Sequence, residues 1–227
     1  MGSSLSIIGG TLEETGNSLV DVCLEMIRIF PDGLVLVVGL FSLVTLSVPY
    51  GTFFLVLLES VGIFTILNSF NIVEPLPITG SVDPKDRSDK CTSGYRNKFM
   101  DIFSILGKNQ SLSSSLFILS VATSYIVTTL FSLKTELETF GKNFVTRFYY
   151  SIIGLPLFVL MFILFNMTYK CFSLASITLS VFLGLVTGIL LCALHLKIFG
   201  KEAINIIGIP LLYEKTADGS PLYICQK

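Results

Sequence analysis

The sequence contains few charged residues and few of the side chains that usually carry chemistry. Asp, Glu, Lys and Arg make up 14% of the 227 residues, whereas soluble domains contain about 25%. The net charge is −1, so no basic surface indicates binding to nucleic acid. Tryptophan is absent, and there is one histidine. This composition argues against a soluble domain and against a nucleic-acid-binding protein.

The familiar catalytic and metal-binding motifs are also missing from the sequence. It contains no H-E-x-x-H, G-x-S-x-G, Walker A or dinucleotide-binding glycine pattern. We therefore expect no enzymatic activity and no metal or other cofactor. The five cysteines form no C-x-x-C pair, which indicates neither a zinc site nor a redox pair. We expect Cys171 and Cys192 to be small apolar fillers, and His195, at a predicted helix end, to be structural or interfacial.

Long uncharged runs dominate the rest of the chain. Phe148–Tyr169 contains 22 residues without a charge, and Cys171–Leu196 contains 26 residues without Asp, Glu, Lys or Arg. About 20 apolar residues cross a hydrocarbon core of about 30 Å as a helix, and the pattern does not alternate as a membrane β-barrel requires. The connection between the runs is short, so we expect antiparallel neighbours. The sequence predicts an all-α membrane protein built as a helical bundle.

The number of transmembrane helices depends on residues 32–73. The uncharged run from residue 33 to 73, interrupted only by Glu59, would reach roughly 60 Å as one helix. The expected break is Val48-Pro49-Tyr50-Gly51, because proline lacks a helical donor and glycine loosens the backbone. Two spans, about 32–48 and 52–72, bring the total to five. A re-entrant first piece would leave four.

We divide the chain into five parts. They are an N-terminal lipidated amphipathic segment, a two-span or re-entrant hairpin, a polar loop, three transmembrane helices and a C-terminal tail, at residues 1–31, 32–73, 74–110, 111–196 and 197–227. The period from Leu19 to Phe30 predicts an amphipathic helix that either packs on the bundle or lies flat on lipid. Lys134–Arg147 is read as a charged loop. Asp218-Gly219 predicts a small β-hairpin in the tail.

Small residues indicate where membrane helices approach closely. The apolar segment Leu116–Leu133 contains several serines and threonines, and the last span contains Gly184 and Gly188 in a G-x-x-x-G pattern. Both features favour close helix contacts. The glycine pattern is compatible with a contact inside the chain and with a homo-oligomer.

Glu59 lies inside the second predicted span. A carboxylate in lipid is costly and usually faces the interior of a bundle. It either lines a path for ions or protons, or is a protonated or hydrogen-bonded acid that fixes helix packing. Because no second buried acid or base accompanies it in the sequence, the packing role is the expected one.

The N-terminus matches the myristoylation pattern M-G-x-x-x-[ST], with Gly2 as the acceptor and Ser6 at the last position. We expect a covalent myristate on Gly2. Because this modification is made in the cytosol, it predicts a cytosolic N-terminus and, with five spans, a tail on the opposite side. The basic residues are almost evenly divided between the two sides, so they do not set the orientation.

Three features resemble myristoylated multi-span membrane proteins of large nucleocytoplasmic DNA viruses. They are Gly2, the loop piece Cys91-Thr-Ser-Gly-Tyr95, and the tail pieces Asn205-Ile-Ile-Gly-Ile-Pro-Leu-Leu212 and Asp218-Gly-Ser-Pro-Leu-Tyr-Ile-Cys225. The resemblance implies a structural protein of the virion internal membrane, present in host membranes during assembly. Its expected partners are the bilayer and viral minor capsid or other membrane proteins. The alternative is a small transporter or channel with Glu59 in its pathway.

Overall fold

The computed structural model describes residues 30, 33–69, 91, 112–139 and 142–206. Within these residues, every regular element of several residues is an α-helix. In chain order they are α1 (Gly33–Thr45), α2 (Val48–Ser69), α3 (Ser114–Ser132), α4 (Lys134–Thr139), α5 (Lys142–Thr168) and α6 (Leu174–Ile204).

Four of the described helices, α2, α3, α5 and α6, are long and apolar enough to cross a membrane. They indicate an integral membrane protein, as the composition predicted. Helix α1 has fewer than four turns and a length of roughly 20 Å, which is short of a hydrocarbon core of about 30 Å. The described part of the chain therefore contains four helices that could span a membrane, the lower of the two predicted numbers, and a shorter apolar helix, α1, which follows the helical residue Phe30.

The predicted break between the first two helices is confirmed, at Leu46 and Ser47. Leu46 has a φ of 48°, which ends the regular hydrogen bonding of α1. Pro49 lies in the first turn of α2, where its missing N–H costs nothing. The N–H of Gly51 donates to the carbonyl of Ser47 at 3.0 Å. The break therefore falls just before the proline, and the proline starts the next helix.

The main helix contact of the bundle joins α3 and α6, which run in the same direction. Gly184 and Gly188 of α6 face α3, and a Cβ built on Gly184 would lie 2.7 Å from the carbonyl oxygen of Phe117. A Cβ on Gly188 would overlap the backbone of Val121 and the hydroxyl of Ser124. The prediction of close contact at this glycine pattern is confirmed. Its partner is a helix of the same chain, so this face of α6 is already occupied.

Hydrogen bonds accompany the close approach of α3 and α6. The N–H of Ser113, the residue that caps α3, donates to Oγ of Ser180 on α6 at 2.9 Å. The Ser180 hydroxyl in turn donates to the carbonyl of Ser176 at 2.7 Å. Thr129 of α3 lies 3.5 Å from the sulfur of Cys192. These small polar residues thus bond to each other or to their own backbone, whereas the buried hydroxyl of Ser120 on α3 has no partner in the described part of the chain.

The expected pairing of the last two helices is only partly found. Helices α5 and α6 are antiparallel and joined by a short turn, but α6 contacts α3 far more extensively than it contacts α5. Helix α5 presents large apolar residues instead of small ones, and many of them, such as Leu157, Leu160 and Leu164, are exposed on its surface. A surface of that kind suits lipid better than a close helix contact.

The prediction of a charged loop at Lys134–Arg147 is wrong. Helix α4 occupies Lys134–Thr139, and α5 begins at Lys142. Lys134 Nζ and Glu138 Oε1 lie 3.7 Å apart, a spacing that supports a helix. A charged stretch between two spans was read as a loop, although its charges are placed for helical pairing.

The last helix is longer than its apolar run. It continues past Leu196 to Ile204, with a non-helical residue at Gly200 (φ 81°, ψ 179°). A residue with a side chain rarely adopts such a φ, so the glycine allows the change of direction. Ala203 and Ile204 are buried beyond it, and the end of the helix therefore packs on the bundle.

Several predictions lie outside the described residues. They concern the modification of Gly2, most of the N-terminal amphipathic helix, the polar loop apart from Cys91, and the β-hairpin of the tail. Phe30, the last apolar residue of the predicted amphipathic face, is described. Its ring packs edge-on against Phe158 of α5, with 4.8 Å between centroids.

Candidate functional site

Glu59 lies near the middle of α2 and has an ionisable partner on α6. Its Oε2 atom lies 3.2 Å from Nε2 of His195. The His195 side chain is 2% exposed and the Glu59 side chain is 33% exposed. The expectation that Glu59 has no buried base beside it is therefore wrong. The two residues are far apart in the sequence, and no local pattern shows that α2 and α6 are neighbours.

His195 is not at the helix end where it was expected. Helix α6 continues to Ile204, so His195 is buried within it. Its ring packs edge-on against Phe199, with 5.4 Å between centroids. The sequence allowed a span that continues past His195, because a long lysine side chain such as that of Lys197 can carry its charge away from an apolar helix. In the structure Lys197 is exposed. A lysine after the histidine therefore does not mark the end of a span.

Tyr125 of α3 is the third member of the site, and the sequence reasoning missed it. The side chain is fully buried, and its ring lies 6.0 Å from the His195 ring, edge-on. On the other side, Phe53 of α2 packs at 5.9 Å between centroids. The serines and threonines of α3 predicted close helix packing, but no local pattern indicated a role for its one tyrosine. The site thus joins α2, α3 and α6.

The polar atoms of this site are incompletely satisfied. Glu59 Oε2, Tyr125 OH and His195 Nδ1 are buried and have no hydrogen-bond partner within the described part of the chain. The contact between Glu59 and His195 is short, but it lacks the alignment of a hydrogen bond, so we treat it as electrostatic. A buried polar atom without a partner costs about 1–3 kcal/mol. An acid, a base and a phenol together can hold and pass on a proton.

The side chains of this cluster do not form a recognisable metal-binding site. Among the residues that the structure describes, no group of three or more His, Cys, Asp or Glu side chains could hold one. The site offers one carboxyl group, one imidazole and one phenol.

Cys171 is not an apolar filler, because it forms a disulfide with Cys91. The Cα atoms are 5.3 Å apart, and 80 positions separate the two residues in the sequence. Nothing in the sequence indicated this disulfide, since spacing reveals only cysteine pairs that are close in the chain. Cys192, by contrast, is buried and free.

The turn between α5 and α6 places Cys171 at the membrane edge. Lys170 has a φ of 51°, and its N–H donates to the carbonyl of Met167 at 3.3 Å. The N–H of Cys171 donates to the carbonyl of Asn166 at 3.0 Å. These two bonds form a Schellman motif, which ends α5. The disulfide therefore attaches the polar loop where α5 and α6 meet.

Comparison with known proteins found no matching family model, no matching curated protein and no matching solved structure. Gly2 lies outside the described residues, so its myristoylation stays a prediction. The fold and the site define a helical membrane protein with an ionisable cluster between three helices and a disulfide at one membrane edge.

Proposed function

We propose that the protein is a structural protein of a viral internal membrane. It anchors the bilayer to capsid or minor capsid proteins through its polar loop. The observation that carries this proposal is the disulfide of Cys91 with Cys171, which attaches the loop to the membrane helices. The viral setting is supported by the resemblance of the loop and tail sequences and by the acceptor pattern at Gly2.

A covalent link at Cys91 suits an anchor for two physical reasons. It divides a long loop into shorter pieces, so the loop has less conformational entropy before a partner binds. Ordering the loop on binding therefore costs less free energy. It also passes a pulling force from the loop directly to α5 and α6, in addition to the chain connections to α2 and α3. Both properties serve attachment.

The proposal is tested in purified virus particles. Electron cryomicroscopy should locate the four helices in the bilayer beneath the capsid. Cross-linking mass spectrometry should join lysines of the polar loop to a capsid or minor capsid protein. Finding the chain in infected-cell membranes and never in particles would contradict the proposal.

A cysteine variant tests the part played by the loop. Cys91→Ser should lower incorporation into particles several-fold, because the loop loses its attachment, while the amount inserted into membranes stays the same. Cys192→Ser is the matched control, since Cys192 is a free thiol in the same chain. Equal incorporation of both variants would show that the disulfide does not serve anchoring.

A second candidate function is transport of ions or protons with Glu59 in the pathway. The pair of Glu59 and His195 between apolar helices favours it, because ionisable groups inside a membrane often mark a pathway. Proteoliposomes containing the protein should then show flux that Glu59→Gln abolishes. Glu138→Gln, at an exposed position of α4, is the control. A parent protein without flux would remove this candidate.

A further inference from the structure

The junction of α2, α3 and α6 concentrates unsatisfied polar atoms. Five buried side-chain atoms in the described residues lack a hydrogen-bond partner, and three of them belong to Glu59, Tyr125 and His195. Hydroxyl groups close by in the sequence behave differently. Ser124 and Thr128 of α3 each donate to a carbonyl of their own helix, at 3.1 and 2.7 Å. Three of the five unsatisfied atoms thus belong to the ionisable side chains of this junction, and the other two belong to Asn68 and Ser120.

These three groups are held in place by aromatic packing. The His195 ring is enclosed edge-on by Tyr125 and Phe199, and Tyr125 itself packs on Phe53. His195 and Tyr125 are almost fully buried, so neither can turn its polar atoms to water. The Glu59 side chain is a third exposed, but its Oε2 atom, which faces His195, is buried.

One proton makes the pair of Glu59 and His195 electrically neutral. A carboxylate with an imidazolium, and a carboxylic acid with a neutral imidazole, both have no net charge. Without the proton the pair is negative, and with a second proton it is positive. A net charge inside a bundle in lipid is strongly unfavourable. The surroundings therefore favour the state with one proton.

Among the described residues, no neighbouring group offers a compensating charge. The other titratable side chains that face the pair are Tyr125 on α3 and Cys192, one turn before His195 on α6, and both are neutral in their protonated forms. Helix α1 contains no titratable residue. A calcium or magnesium ion would require about six or more oxygen ligands, and the cluster has too few. The donor set suits a proton.

We propose that Glu59, His195 and Tyr125 form an intramembrane proton-binding site. The pair binds one proton, on either the Glu59 carboxyl group or the His195 imidazole, and the resulting neutral pair, with 3.2 Å between Oε2 and Nε2, holds α2 against α6. The proton comes from water and binds to a lone pair of Oε2 or Nε2, so no other reactant is needed. Tyr125 is a positioning residue for the imidazole. The site binds its proton whether or not an ion crosses the membrane, so the inference is independent of both functions above.

Nuclear magnetic resonance of ¹⁵N-histidine tests the proposal on a single residue, because the chain contains one histidine. In the full-length protein in lipid nanodiscs, the ring nitrogens should show the shifts of an imidazole paired with a carboxyl group at neutral pH. Glu59→Gln keeps the size of the side chain and removes its charge. It should change the pH dependence of the His195 ring signals, because the imidazole loses its ionisable partner.

Two further variants separate this result from a general change in packing. Glu138→Gln, on the exposed side of α4, should leave the His195 titration unchanged. Tyr125→Phe keeps the ring and removes the hydroxyl, so it should change the titration less than Glu59→Gln does. An unchanged titration in Glu59→Gln would overturn the proposal.

The parent protein decides the matter even if Glu59→Gln does not fold. Ring nitrogens with the shifts of an isolated neutral imidazole, from about pH 5 to 8 where histidine normally titrates, would overturn the proposal. A flux measurement cannot replace this test. Absent flux together with the shifts of a paired imidazole removes transport and leaves the proton site in place.

Discussion

Helix α6 contacts its two main neighbours in opposite ways. Towards α3 it presents Gly184 and Gly188, and the two backbones approach closely. Towards α2 it presents His195, which meets Glu59 through an incompletely satisfied polar contact. The first contact is fixed by shape and does not depend on protonation. The second contact depends on the charges of two side chains. A change in protonation should therefore affect how α2 packs on α6 and leave the packing of α3 on α6 unchanged.

Filling the close contact should have the largest effect. Gly184→Leu with Gly188→Leu drives side chains into the backbone of α3, and overpacking costs about 1–3 kcal/mol at each position. The double variant should therefore lose about 2–6 kcal/mol of unfolding free energy, measured by thermal or denaturant unfolding in detergent. Gly62→Leu with Gly154→Leu is the control, because a Cβ at either position meets nothing within 4 Å. Equal losses would mean that shape does not fix this contact.

Opening the disulfide should have the next largest effect. Cys91→Ser, or reduction, frees a loop closed over 80 positions and should cost about 2–4 kcal/mol. Unfolding with and without reductant measures the loss. Cys192→Ser provides the control, and it should still respond to reductant. If reduction has no effect on the free energy of unfolding, the contact of α3 with α6 stabilises the bundle at the turn between α5 and α6 without the disulfide.

The disulfide also bears on orientation. Disulfides persist in oxidising compartments, whereas the acylation expected at Gly2 occurs in the cytosol. Both occur together when the N-terminus and the disulfide edge lie on opposite sides, which requires that α1 does not cross the membrane. Its length fits that requirement. In sealed microsomes, an epitope in the polar loop should then resist protease while an epitope at the C-terminus is digested. Digestion of the loop epitope would contradict this arrangement.

A double-mutant cycle tests the contact of α2 with α6. Glu59→Leu or His195→Phe alone leaves one ionisable group buried without its partner, whereas the double variant removes both. We expect a coupling energy of about 0.5–3 kcal/mol, measured by unfolding at neutral pH. The double variant should be more stable than the less stable single variant. Additive losses would show that the two side chains do not act together.

The sequence predictions succeeded for features that depend on residues close together in the chain, and failed for contacts between residues far apart in it. The apolar parts of α3, α5 and α6 were predicted because length and apolar character are local properties, but the charged start of α5 at Lys142 and the end of α6 at Ile204 lie six and eight residues outside the predicted runs. The pairs Glu59–His195 and Cys91–Cys171 were missed, since each joins residues that only the folded bundle brings together. The glycine pattern at Gly184 lies between these cases. Its close contact was predicted from spacing, but its partner helix depends on the packing of the whole bundle.

The smallest expected effect comes from a single hydrogen bond in the close contact. Ser180→Ala removes the acceptor for the N–H of Ser113, a bond of 2.9 Å at the start of α3. Hydrogen bonds between membrane helices contribute about 0.6 kcal/mol on average, so stability should fall by about that amount. Thr178→Ala is the control, because its hydroxyl is exposed and bonds only within α6. A loss as large as that of the glycine variants would mean that polar bonds, rather than shape, hold α3 to α6, and the contrast between the two faces of α6 would then disappear.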